Sequence, residues 1–174
     1  AGVGSAYDPP DKEGLFHYFE HTAFKGTEKR SKEELKAFAV RNTLGNNAST
    51  RKLTTEYYGE AVLRKFPELC DFLCDIYFNS VYPANEIEIE KEVVLNEIAR
   101  GWDDDYYAAI KHMCNNLWES NPLRLLGVGT PSGVRNISRS DLLRERDRWH
   151  IPSNTIALAV GKVDHDDFVA EIAK

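Results

Sequence analysis

Four positions separate His17 from His21 in the stretch GLFHYFEHTAFKGT, positions 14 to 27, and Glu20 falls just before the second histidine. In a helix, residues four apart stack one above the other on one face. Two imidazoles could then offer nitrogens to one ion, with the Glu20 carboxylate beside them. A catalytic zinc takes three protein ligands and keeps a fourth position for water. Binding lowers the pKa of that water to about 7, and a carboxylate within reach can take its proton. Three fixed positions in five arise readily by chance. Alone, the pattern fits a metal pair and a helix carrying two solvated histidines equally well.

A third ligand is therefore the deciding question. The segment IEIEKEVVLNEIAR places Glu90 and Glu97 seven positions apart. Seven residues are nearly two helical turns, so both carboxylates share a face, about 10.5 Å apart along the axis. Glu97 sits among Val93, Val94 and Ile98 and is expected on a partly buried face. A carboxylate there needs a partner, because an unpaired buried charge is costly, and zinc would supply one. The competing reading leaves both glutamates in solvent, where Glu86, Glu88 and Glu92 are expected.

The elements that must position these groups can be outlined from punctuation and periodicity. A helix from about Leu15 to Phe24 carries the histidines. Ser31 with Glu34 three positions on forms a capping pair for a second helix, reaching about Asn42. NASTRKLTTEYYGEAV, rich in Thr and Tyr, reads as strands. Pro67 opens a helix with Leu69, Phe72, Leu73 and Ile76 at helical spacing. Another runs from about Glu86 to Arg100, and WDDDYYAAIKHMCNNLW is a further one. NPLRLLGVGTPSG reads as loop; it lacks the G-K-[ST] ending of a phosphate-binding loop. SRSDLLRERDRWH is helical, NTIALAVGKV an apolar strand, and Asp164 caps a last helix. AGVGSAY, at the start, reads as the end of a strand. Helices in the middle and strands in two separated groups predict an α+β domain, its helices on one face of a mostly antiparallel sheet.

The bulk numbers agree with a single such domain. The chain has 174 residues, 42% of them hydrophobic, and a net charge of −6. A chain this long buries roughly 70% of its unfolded surface. Charges of both signs are interspersed without a basic stripe, which counts against nucleic acid as a partner. No apolar run approaches the ~18 residues of a membrane span. Cys70, Cys74 and Cys114 read as buried or reduced thiols, not a disulfide framework. The opening has no initiator Met, so the chain is expected to be a processed product or a fragment.

Taken together, His17, Glu20 and His21 followed by Glu90 and Glu97 resemble the pitrilysin/insulinase family of zinc metallopeptidases, an inverzincin group that includes the mitochondrial processing peptidases. GTEKRS, NASTRKLTTEYY and the run from GVGTPSG through SRSDLL and HIPSN to ALAVGKV resemble further family segments, so the match spans essentially the whole chain. The resemblance implies one zinc ion held by His17, His21 and Glu97. It implies Glu20 as the general base and Glu90 as a supporting or catalytic partner. Asn47, Ala48, Ser49 and Thr50 match the edge strand on which family members hold an extended peptide by β-augmentation. The implied fold is the processing-peptidase type of metallohydrolase. The implied activity is endopeptidase cleavage of short or unfolded peptides.

Departures from the pattern are Phe16, Tyr18, Phe19, Thr22 and Ser49, none of which removes a ligand. The family completes its site with an Arg and a Tyr from a second domain that stabilise the developing oxyanion. This chain is expected to be one catalytic domain, residues 1–174, lacking its first strands and that companion. The alternative is a non-catalytic peptide-binding or core subunit of the same fold, against which the intact ligand set argues. The S-ribosylhomocysteine lyases also use H-x-x-E-H, but with a cysteine ligand after a glycine, and no Gly-Cys pair occurs here.

Overall fold

The computed structural model describes residues 1–174. Eight α-helices surround one β-hairpin. In chain order they are α1 (Leu15–Ala23), α2 (Lys32–Asn42), β1 (Gly45–Thr50), β2 (Thr55–Glu60), α3 (Phe66–Phe78), α4 (Ala84–Trp102), α5 (Asp105–Leu117), α6 (Pro131–Asn136), α7 (Arg139–Trp149) and α8 (His165–Ile172). The class is α+β. No helix is long and apolar enough to cross a membrane. All three cysteines are free.

Helix α1 is apolar on every side but one. Leu15, Phe16, Tyr18, Phe19, Thr22 and Ala23 are buried, leaving His17, Glu20 and His21 along the remaining stripe. Burying each large apolar side chain is worth about 1.5–3 kcal/mol, so the rotation of α1 is fixed by Leu15, Phe16, Tyr18 and Phe19 rather than by its polar groups. The same core takes Ile87, Val94 and Ile98 from α4, and Val134, Ile137 and Leu142 from further along. A second, smaller cluster of Leu35, Ala39, Phe72 and Ile76 joins α2 to α3. The Tyr18 hydroxyl donates to the Ile87 carbonyl and pins α1 against α4.

The helix starts follow the sequence signals. Ser31 and Glu34 close both bonds of a capping box on α2, at 3.2 and 2.8 Å. Ser138 and Asp141 do the same for α7. Helix α1 is capped from outside its own sequence. Gly14 precedes it in a left-handed conformation, φ +98°, and Asp8 reaches in to accept from the N–H groups of Gly14 (2.7 Å) and Phe16 (3.0 Å). The glycine-rich LGVGTPSG segment lies against this cap. Gly129 is also left-handed, φ +79°, and a Cβ on it or on Gly133 would run into the Glu13 backbone. Its glycines serve close backbone approach to the α1 N-terminus. Part of this segment is helical, Pro131 opening α6 with Thr130 as its cap.

The sheet is smaller than the two groups of strands suggest: β1 and β2 form a two-stranded antiparallel hairpin. At the chain start, Ser5–Tyr7 is a 3₁₀ turn, not a strand. Ala1 exchanges hydrogen bonds with Thr55, and Gly2 donates to the Asn154 carbonyl. Two residues are too few to build a ladder. Residues 155–160 form no ladder either, and Ile156, Leu158 and Val160 are exposed. A strand-like pattern becomes a strand only where a neighbour accepts its backbone bonds.

Candidate metal centre

His17 and His21 project from the open stripe of α1 with ring centroids 4.5 Å apart and planes near perpendicular. Helix α4 crosses in front of them and delivers Glu97. His17 Nε2 lies 3.8 Å from one Glu97 oxygen, and His21 Nε2 lies 3.5 Å from the other. One ligand atom from each of the three falls within 4.8 Å of the others. Zinc–ligand bonds of 2.0–2.2 Å at tetrahedral angles space ligand atoms by roughly 3.4 Å. The observed spacing therefore fits such an ion with small adjustments, and the donor set of two imidazoles and one carboxylate suits zinc.

The two histidines sit in different electrostatic settings. Burial, and then the adjacent His21, pull His17 down to about 4, so its ring is neutral and its nitrogen lone pair is available. Its Nδ1 is buried without a hydrogen-bond partner. Burial also pulls His21 down, but the hydrogen bond it donates to Glu90 and the charges of Glu97, Glu90 and Glu20 outweigh it and hold the ring above its ordinary value. His21 Nδ1 meets Glu90 Oε1 at 2.9 Å. Metal-bound histidines commonly direct their other ring nitrogen to such a carboxylate, which fixes tautomer and orientation.

The burial expected for Glu97 belongs to its helical neighbour instead. The Glu97 side chain is 45% exposed, whereas Glu90 is 9% exposed. Glu90 lies on the Ile87–Val94–Ile98 stripe that packs into the core. Glu97 stands one position before Ile98, off that stripe and toward the open side. Its carboxylate is thus free to meet the two imidazoles. Glu90 pairs with Lys25 Nζ at 2.6 Å as well as with His21. These bonds and charges outweigh burial and keep its carboxyl below the usual range.

Glu20 is the remaining group on the α1 stripe. Thr50, the last residue of β1, donates its hydroxyl to Glu20 Oε2 at 2.6 Å. Burial raises the Glu20 carboxyl, opposed by the Thr50 hydrogen bond and the His21 charge. Asn47, Ala48 and Ser49 lie on β1 as expected. The Arg51 N–H to Thr54 carbonyl bond sets the hairpin alternation. By that alternation Asn46, Ala48 and Thr50 turn their backbone groups to the outer edge. The Ala48 N–H is met there by the Asn47 side-chain oxygen at 2.9 Å.

Two contacts at the site have no mark in the sequence motifs, Lys25 on Glu90 and the Thr50 hydroxyl on Glu20. Lys25 comes one helical turn after His21, but its contact with Glu90 depends on which glutamate is buried, which spacing alone does not fix. The Thr50 contact depends on how the hairpin crosses α1 and has no local signature. A cavity of about 380 Å³ opens beside Glu97, lined by Arg100, Asp104, Tyr106, Tyr107 and Val128. A larger one of about 520 Å³ lies between α2 and the start of β1 and borders the site only through Lys25.

Comparison with known proteins gives a consistent picture. The sequence model of a family described as Insulinase (Peptidase family M16) matches residues 1–130. The chain is 30% identical over 172 residues to a protein of Rickettsia bellii described as an uncharacterized zinc protease, covering 98% of this chain and 42% of that one. It is 29% identical over 172 residues to the human mitochondrial-processing peptidase subunit beta, covering 99% of this chain and 35% of that subunit. The structure superimposes on a Helicobacter pylori protease with a TM-score of 0.92 at 22% identity, over 98% of this chain and 42% of the other. The last comparison establishes the fold. The chain spans well under half the length of each of these proteins.

Proposed function

The chain belongs to the insulinase family, peptidase family M16, and from that premise we propose that it is the metal-binding domain of a zinc endopeptidase acting on short or unfolded peptides. The observation that carries this reading is the convergence of His17, His21 and Glu97 within 4.8 Å, with Glu20 beside them on α1. When bound, zinc supplies Lewis acidity, activating a water and polarising the scissile carbonyl.

The chain's own residues do the rest. Glu20 Oε2 is held by Thr50, which leaves Oε1 to accept the proton of the attacking water and to hand it to the leaving amine. A carboxyl raised by burial is better matched to that exchange near neutral pH than a solvated one. Glu90 orients His21 and stands behind the ligands. The outer edge of β1, through Asn46, Ala48 and Thr50, takes the substrate as an added strand, with Asn47 and Ser49 flanking. An incoming backbone carbonyl takes over the Ala48 N–H from the Asn47 side chain. Pairing through backbone groups tolerates varied substrate sequence. The cavity beside Glu97 gives room to a substrate side chain near the cleaved bond. In this reading a companion domain or subunit of the same family stabilises the oxyanion.

The test is Glu20→Gln. Zinc content is expected to stay near that of wild type while peptide cleavage, measured with the companion domain present, falls by about 10²–10⁴-fold. Retained cleavage removes Glu20 from the role of base.

A further inference from the structure

Glu90 has both carboxylate oxygens committed, one to each of two partners. Oε1 meets His21 Nδ1 at 2.9 Å and Oε2 meets Lys25 Nζ at 2.6 Å. From this geometry we propose that Lys25 is a positioning residue for the metal: by fixing Glu90 it keeps His21 with Nδ1–H toward that carboxylate and Nε2 toward the ion. The inference rests on the zinc reading above.

Three observations separate this from an ordinary surface ion pair. The pair is largely withdrawn from solvent, with Lys25 20% and Glu90 9% exposed, whereas exposed pairs contribute little. The relay has no slack, since each Glu90 oxygen serves one partner and rotation of the carboxylate breaks both bonds. His17 has no equivalent support, its Nδ1 being buried without a partner. Among the ligand imidazoles, orientation by a carboxylate therefore falls to His21 alone. Without the Lys25 ammonium, one Glu90 oxygen is left buried and unpaired, a costly arrangement. The carboxylate then turns toward solvent and releases the His21 ring.

The experiment measures zinc affinity by competition with a chromophoric chelator, for wild type, Lys25→Met, Lys25→Arg, Glu90→Gln and the Lys25→Met/Glu90→Gln double variant. NMR of the zinc-loaded proteins follows the His21 Nδ1–H proton. Lys25→Met is expected to weaken zinc binding by about 10-fold or more, within the range for supporting partners, and to lose exchange protection of that proton. Lys25→Arg restores most of both. The double variant binds no more weakly than Glu90→Gln, because Lys25 acts through Glu90. Wild-type affinity and an unchanged His21 signal in Lys25→Met, or losses that multiply in the double variant, overturn the proposal and leave the zinc reading standing. A wild-type chain that takes up no zinc overturns both.

Discussion

Replacing His150 by Phe is expected to stabilise the protein, and to do so more strongly in acid. His150 closes α7 and is only 4% exposed. It rests on Phe19 of α1 (ring centroids 4.6 Å), Tyr77 of α3 (4.3 Å) and Tyr57 of β2 (5.8 Å), directly behind the histidine-bearing helix. Neither ring nitrogen has a partner. At pH 7.5 the ring is neutral whether folded or unfolded, so the cost of folding it in is that of burying polar atoms without bonds, about 1–3 kcal/mol. Phe has a similar shape and carries no such cost, so the variant gains roughly that amount.

Lower pH adds a second contribution. Burial above all, with the Arg146 charge beside it, pushes His150 down to about 3 from an ordinary 6.5. The folded pKa is depressed, so as pH falls below 6.5 the unfolded chain takes up a proton that the folded one refuses. Stability is lost progressively from pH 6.5 toward 3, at about 1.4 kcal/mol per unit. At pH 5 the gap between variant and wild type therefore widens by about 2 kcal/mol. Urea unfolding of both proteins at pH 7.5 and 5.0, in chelator so that metal linkage is absent, reads this directly. A gap equal at the two pH values refutes the exclusion of the proton, and a variant less stable at pH 7.5 refutes the unpaired nitrogens.

The zinc reading makes further predictions. Glu97→Gln should weaken zinc binding by more than the roughly 100-fold upper range for supporting partners, measured by the same chelator competition. Thr50→Val keeps the shape and removes the hydroxyl on Glu20; kcat should fall by roughly 10–100-fold, the equivalent of a hydrogen bond to a charged group, with KM and zinc content little changed. Gly129→Ala sets a Cβ against the Glu13 backbone at a left-handed position and should destabilise by at least about 1–3 kcal/mol, seen as a lower thermal midpoint. Adding zinc to about 100 times its Kd should raise the unfolding free energy by about 2.7 kcal/mol, and a chelator should reverse the gain.

Much of the candidate site's arrangement was legible because its signals are local. The four-residue step from His17 to His21 and the seven-residue step from Glu90 to Glu97 need only helical periodicity to put each pair on one face. The start of α2 followed from Ser31 and Glu34 in the same way, since both halves of a capping box lie within one turn. The strands were less legible. NTIALAVGKV has the composition of a strand, but Ile156, Leu158 and Val160 remain exposed, because pairing depends on what lies alongside. Asp8 was unreadable as the cap of α1, since its carboxylate acts across a loop from six and eight residues away.

By itself the sequence determined the chemistry on offer: two imidazoles, a neighbouring carboxylate, and a pair of glutamates on a second helix. Spacing along one chain cannot say which glutamate is buried, since both lie on the same face. The tertiary structure decided that by what lies alongside each turn of α4, Lys25 and His21 covering Glu90 while Glu97 stays open. The Ile87–Val94–Ile98 stripe seeks the core and draws Glu90 in with it, where Lys25 and His21 neutralise it. Glu97, just off the stripe, is left at the open edge facing the two histidines. The contact of Thr50 with Glu20 was decided the same way, by where the β-hairpin crosses α1.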